Sequence, residues 1–96
     1  MNLIYKFEDT DTTGKYIVFD NNVEIGEITF SKAGDSIYIV DHTYVDLDYR
    51  GNKIANELLR LVVEKAKSDE RLIIPLCPFA KKEFERTPEY QEIEKK

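Results

Sequence analysis

The stretch Tyr49-Arg50-Gly51-Asn52-Lys53-Ile54-Ala55 sits between a β-prone segment and a strongly amphipathic run. A glycine-containing turn that opens a helix leaves backbone N–H groups unpaired and presents the positive end of a dipole, an arrangement that suits a phosphate. Two single residues have chemistry to offer beside such a site. His42 is the only histidine, and an imidazole, which titrates at about pH 6.5 when unperturbed, suits proton transfer near neutrality. Its other reading is a histidine that caps a strand or fills a polar gap. Cys77 is the only cysteine, and it is either a reactive thiol or a small buried hydrophobe.

The elements that must position these groups follow from periodicity. Apolar and polar residues alternate, or cluster in short β-prone groups, at Leu3 to Phe7, Tyr16 to Phe19, Val23 to Phe30 and Ile37 to Val45, which predicts four strands. Asp20-Asn21-Asn22 and Lys32-Ala33-Gly34-Asp35-Ser36 suit tight turns, so the first half reads as an antiparallel meander. After Arg50 the pattern changes. Ile54, Ala55, Leu58, Leu59, Val62, Val63 and Ala66 recur at three- and four-residue spacing and predict one long helix, ended by Ser68-Asp69-Glu70. Glu57 and Arg60 are spaced for weak pairing on its outer face. Arg71 to Leu76 is apolar enough for a buried strand beside an earlier one, limited by Pro75, which has no N–H to give. Pro78 opens a short helix with Phe79, Ala80 and Phe84 on its apolar side. The tail from Thr87 to Ile93 is too short to assign.

With 96 residues, a single domain spanning 1–96 is expected. A formal net charge of −5, with no long basic block, argues against general nucleic-acid binding, so any anion site is local. One cysteine permits no intramolecular disulfide and no zinc-ligand spacing, and a reducing cytoplasm is the simplest home. Met1 to Asp11 has no cationic stretch followed by an apolar one, and no run of about 18 apolar residues occurs anywhere. The expectation is a chain without a membrane span, a metal site or a targeting signal.

These motifs resemble a known family. A strand, Tyr49-Arg50-Gly51, a helix, a strand and a second helix look like the core of the GNAT superfamily of acyl-CoA N-acyltransferases. Asp41-His42-Thr43, Pro75-Leu76-Cys77-Pro78-Phe79-Ala80 and Pro88-Glu89-Tyr90 resemble its minimal YjdJ-type branch, over roughly residues 15 to 93. The resemblance implies an α+β fold: an antiparallel meander of about four strands, a long central helix, a fifth parallel strand splayed from the fourth, and a short C-terminal helix. It also implies acetyl-CoA or coenzyme A as cofactor and an amine as acceptor. Arg50, Gly51, Asn52, Lys53, Ile54 and Ala55 would then hold the diphosphate. Tyr44 and Val45 would line the pantetheine arm through their backbone, with the Val45 N–H polarising the thioester carbonyl. Pro78, Phe79 and Lys81 would complete the cofactor side, with Lys81 and Lys82 within reach of its phosphates or merely solubilising. His42 would be the base. Cys77 would accept the acyl group, protonate the departing thiolate, or do nothing.

The chain departs from the superfamily pattern at two positions. Lys53 stands where the phosphate motif has a small residue, and would either block close approach of the diphosphate or add a cation to it. Phe84 stands where a tyrosine acid is usual, leaving Tyr90 as a distant substitute. A non-catalytic module that binds CoA or an acyl-CoA is therefore the rival expectation. Neither the acceptor nor the oligomeric state is legible in the residues.

Overall fold

Tight turns join the first four strands to one another, so they lie side by side in chain order. In the computed structural model, which describes residues 1–96, they are β1 (Leu3–Asp9), β2 (Thr13–Asp20), β3 (Val23–Ala33) and β4 (Ile37–Val45). Asn21 and Asn22 make the β2–β3 turn at φ 50° and 72°, the left-handed region that asparagine tolerates and that matches the twist of the flanking strands. Three strands, β1, β2 and β3, outrun their expected limits. Gly14 and Lys15 pair with Asp9 and Glu8, and Lys32 and Ala33 pair with Tyr38 and Ile37, so these residues belong to the ladder rather than to the turns.

A single 3₁₀ turn (Leu47–Tyr49) leads to α1 (Ile54–Ser68), which buries Ile54, Leu58, Leu59, Val62, Val63 and Ala66 as their spacing predicts. The Glu57–Arg60 pair forms at 2.7 Å on its outer face, an exposed contact that stabilises a helix by only a few tenths of a kcal/mol, about 0.2–0.5. β5 (Leu72–Pro75) returns parallel to the start of β4, Ile37 to Val40, and the sheet order is β1-β2-β3-β4-β5. Arg71 and Leu76 fall outside β5, because the Arg71 N–H closes the end of α1 on Ala66 while the Leu76 N–H shares the Val40 carbonyl. α2 (Pro78–Arg86) begins on its proline. The tail that could not be assigned forms α3 (Pro88–Gln91) and then runs along the outer edge of β5, with Ile73 N–H donating to Ile93 at 2.7 Å and Lys95 N–H to Ile73 at 2.8 Å.

Cross-strand partners share a face, which assigns the two sides of the sheet. Val18, Ile28, Phe30, Tyr38, Val40 and Ile73 pack with α1 and α2 into one core cluster. Both helices lie on this face, tied by an Asn56–Glu83 hydrogen bond of 2.9 Å. The opposite face carries no helix, and along it Lys15, Thr29 and His42 stand in one row and Ile17, Glu27 and Tyr44 in the next.

Where β4, β5 and the end of α1 meet, Tyr38 donates to Asp69, which also pairs with Lys65 at 3.1 Å, and the Arg71 guanidinium lies 4.7 Å above the Tyr38 ring. Burial, then the carboxylate, push the Tyr38 phenol up to about 12. A phenol whose folded pKa lies above its unfolded value of about 10 stabilises the fold fully below pH 10 and progressively less as pH rises through 12. The expected result is a denaturant midpoint that declines between pH 10 and about 12. In Tyr38→Phe this part of the decline should be absent.

Candidate active site

Proline decides where β5 stops. Pro75 offers no N–H, and the next two amides, Leu76 and Cys77, both turn back onto the single carbonyl of Val40, at 3.1 and 3.0 Å. Beyond Val40, β4 runs on to Val45 with no strand on that side, so a V-shaped gap opens between β4 and the start of α2. A β-bulge shapes the gap. Phe30 pairs with Val40 but Thr29 pairs with His42, so Asp41 is an extra residue in β4.

The bulge inverts the facing of everything after it. Val40 is buried on the helix face, and simple alternation would put His42 there too; instead Thr43 and Val45 face the helices while His42 and Tyr44 face the open side. Backbone groups in a strand also alternate in direction. The Asp46 N–H donates to Ile25 on the β3 side at 2.6 Å, so Val45 and Thr43 turn their N–H groups toward the gap.

At the other wall of the gap, the loop before α1 is held by three side-chain contacts. The Tyr49 hydroxyl donates to Asp20 at 2.6 Å, the Asn52 amide to the Tyr49 carbonyl at 3.0 Å, and the Arg50 Nε–H to the Val45 carbonyl at 3.0 Å. The Asp20 carboxylate lowers its own pKa through the Tyr49 hydroxyl first and the Asn2 N–H second. Gly51 adopts φ 88°, and Lys53, the residue before the helix, adopts φ 60°. Lys53 thus stands at a left-handed position where a glycine would carry no steric penalty, the physical sense of the small residue expected there. It provides no side-chain cap, and the first backbone bond of the helix is Glu57 N–H to Lys53, at 3.1 Å. The N–H groups of Ile54, Ala55 and Asn56 have no partner in the chain and point out of the helix N-terminus.

Gap and helix start share one cavity of about 370 Å³. Tyr44, Val45, Arg50, Gly51, Lys53, Ile54, Ala55 and Phe79 all line it, together with Thr43, Tyr49 and Asn56, which the sequence did not mark as cofactor-binding. Thr43 had a legible signal, its two-residue spacing from Val45 along one strand. Asn52 instead braces the loop. Pro78 starts α2 and Lys81 lies exposed on it, and neither lines the cavity.

Cys77 is buried at the apex of the gap, 6% exposed, where its Sγ caps α2 by accepting from the Ala80 N–H at 3.4 Å and meets the Thr43 hydroxyl at 3.3 Å. Thr43 therefore separates the thiol from the cavity. His42 is exposed on the other face of the sheet, opposite Thr29. The two residues flank the gap from opposite sides and do not touch. Phe84 is a core residue, 1% exposed, against Tyr90 with ring centroids 5.4 Å apart, and neither ring lines the cavity. Burial raises the Tyr90 phenol above its ordinary range.

A meander whose last strand splays from a parallel neighbour, with a helix N-terminus facing the gap, is the architecture that the comparisons also identify. Residues 15–93 match the family described as GCN5-related N-acetyl-transferase, and the chain belongs to that family. Among solved structures it resembles a GCN5-like protein from Staphylococcus aureus at 29% identity and TM-score 0.69, covering 94% of this chain and 87% of that one. A ribosomal-protein-alanine N-acetyltransferase from Brucella melitensis biovar Abortus shares the fold at 23% identity and TM-score 0.65, over 80% of this chain and 62% of that enzyme. A GNAT acetyltransferase from Elizabethkingia anophelis with acetyl-CoA bound does so at 13% identity and TM-score 0.68, over 88% of this chain and 73% of that one. The chain spans only 62% of the length of the Brucella enzyme. No curated protein matches its sequence. No helix is long and apolar enough to cross a membrane.

Proposed function

We propose that this chain is a small acetyl-CoA-dependent N-acetyltransferase of the minimal, YjdJ-type form, with an amine as acceptor. The observation that carries the reading is the row of three unpartnered N–H groups at Ile54, Ala55 and Asn56, opening into the same cavity as the unpaired strand edge at Thr43 and Val45. The donor set fits the cofactor: amide hydrogens and a guanidinium for a diphosphate, and a strand edge for an extended amide-bearing arm.

Bound acetyl-CoA supplies an acetyl thioester. The chain's residues do the rest. N–H groups at the front of α1, with the Arg50 terminal nitrogens and the Lys53 ammonium, hold the diphosphate. The Val45 N–H donates to the thioester carbonyl oxygen, where negative charge develops during attack. A ring nitrogen of His42, on the open face, takes the proton of the incoming amine. Cys77, on the helix face, supplies a proton to the departing sulfur through the Thr43 hydroxyl that it meets at 3.3 Å, or, once that hydroxyl turns aside, carries the acetyl group transiently. Placement of His42 and Cys77 on opposite sides of the gap suits an acceptor that arrives from the open face while the cofactor occupies the helix side.

The same separation, with the buried Phe84 in place of a tyrosine acid, favours a second reading: a module that binds CoA without turnover. Calorimetry with CoA followed by assays on a panel of amines distinguishes them. Binding with turnover on at least one amine is expected for the enzyme, and binding with none across the panel for the module. If millimolar CoA neither binds nor raises the melting temperature, both readings fail, because a ligand held only by the native state must stabilise it.

A further inference from the structure

Arg50 is the first residue of the phosphate motif, yet its Nε is committed elsewhere, to the carbonyl of Val45 at 3.0 Å. That contact holds one end of the peptide plane between Val45 and Asp46. The other end of the same plane is held by the Asp46 N–H on Ile25 at 2.6 Å. The strand end is also pressed onto β3 at Gly26, where an added Cβ would lie 2.8 Å from the Tyr44 carbonyl, so β4 has no room to shift that way. Only the gap side is open, and Arg50 is the side chain that closes it.

Resting on the reading of the cavity as a CoA site, we propose that Arg50 is a positioning residue, clamping the Val45–Asp46 peptide so that the adjoining Val45 N–H points at the thioester carbonyl. A guanidinium is a planar fork with donors in fixed directions, so Nε can hold the strand while the terminal nitrogens face the diphosphate. One side chain then joins the anion end of the cavity to its carbonyl end. A lysine keeps the charge but has a single ammonium and cannot hold both.

The test uses Arg50→Lys and Arg50→Ala, with amide hydrogen exchange read in the ligand-free protein, CoA binding by calorimetry, and thiol release from acetyl-CoA with water as acceptor. In Arg50→Lys the Asp46 amide, protected by its bond to the Ile25 carbonyl, should exchange at least about tenfold faster. Exchange at core amides such as Leu58 and Ile73 should stay the same, which shows that the variant is folded. CoA affinity should fall only severalfold, since the charge remains although the planar fork is lost, while thiol release at saturating acetyl-CoA falls about tenfold or more. Unchanged exchange at Asp46 overturns the clamp, and so does a variant whose only defect is weaker CoA binding. Failure of the wild-type protein to bind CoA would instead sink the functional reading, and the exchange measurement would still decide whether Arg50 holds the strand.

Discussion

Replacing Cys77 with alanine is expected to lower acetyl transfer by about 100-fold or more, within the usual range for loss of one acid–base or nucleophilic group. CoA affinity should be nearly unchanged. The argument is geometric: Sγ sits at the apex of the gap behind Thr43 and does not line the cavity, so it contributes nothing to holding the cofactor. The substitution also removes the α2 cap on Ala80, at a cost of about 1 kcal/mol. That loss is small enough to leave the domain folded. Exchange of labelled acetyl between acetyl-CoA and free CoA separates the two roles of the thiol. Exchange that persists in Cys77→Ala eliminates the acyl-carrier role, and transfer that also persists at the wild-type rate removes Cys77 from the chemistry.

Phe84→Ala should produce the largest loss of stability, about 3–5 kcal/mol, because a ring 1% exposed would leave a cavity between α2, α3 and α1. Domains of this size commonly have only about 5–15 kcal/mol in total. A urea titration should show the midpoint collapsing toward zero denaturant. Phe84→Tyr is the informative companion. It restores the hydroxyl that the wider superfamily has at this position, but places it in the core. It should destabilise by about 1–3 kcal/mol through an unpaired buried group and leave acetyl transfer no faster. A faster Phe84→Tyr enzyme would mean that this position does face the reacting atoms.

The meander, the long helix, the parallel return strand and the stop at Pro75 were legible because each depends on local period or on one residue's missing N–H. β4 was legible to its end residues, Ile37 and Val45, since it is bounded by turn residues on both sides. What its period concealed was the extra residue at Asp41. A run of Ile37-Tyr38-Ile39-Val40 is apolar on both faces and carries no mark of where alternation slips, yet that slip decides which side of the sheet His42 occupies. The glycine-containing turn before α1 was legible by composition, but the left-handed φ of Lys53 and the contact from Arg50 to Val45 depend on how the strand end and the loop approach each other. The tail pairs with β5 through backbone groups, and in Ile93-Glu94-Lys95 only Ile93 packs on the core, a single apolar residue that sets no period.

The most direct measurement is a CoA titration followed by backbone amide resonances. Shifts concentrated at Gly51, Ile54, Ala55, Asn56 and Val45 are the predicted result. Shifts gathered on another part of the surface, or no shifts at saturating CoA, would contradict the account.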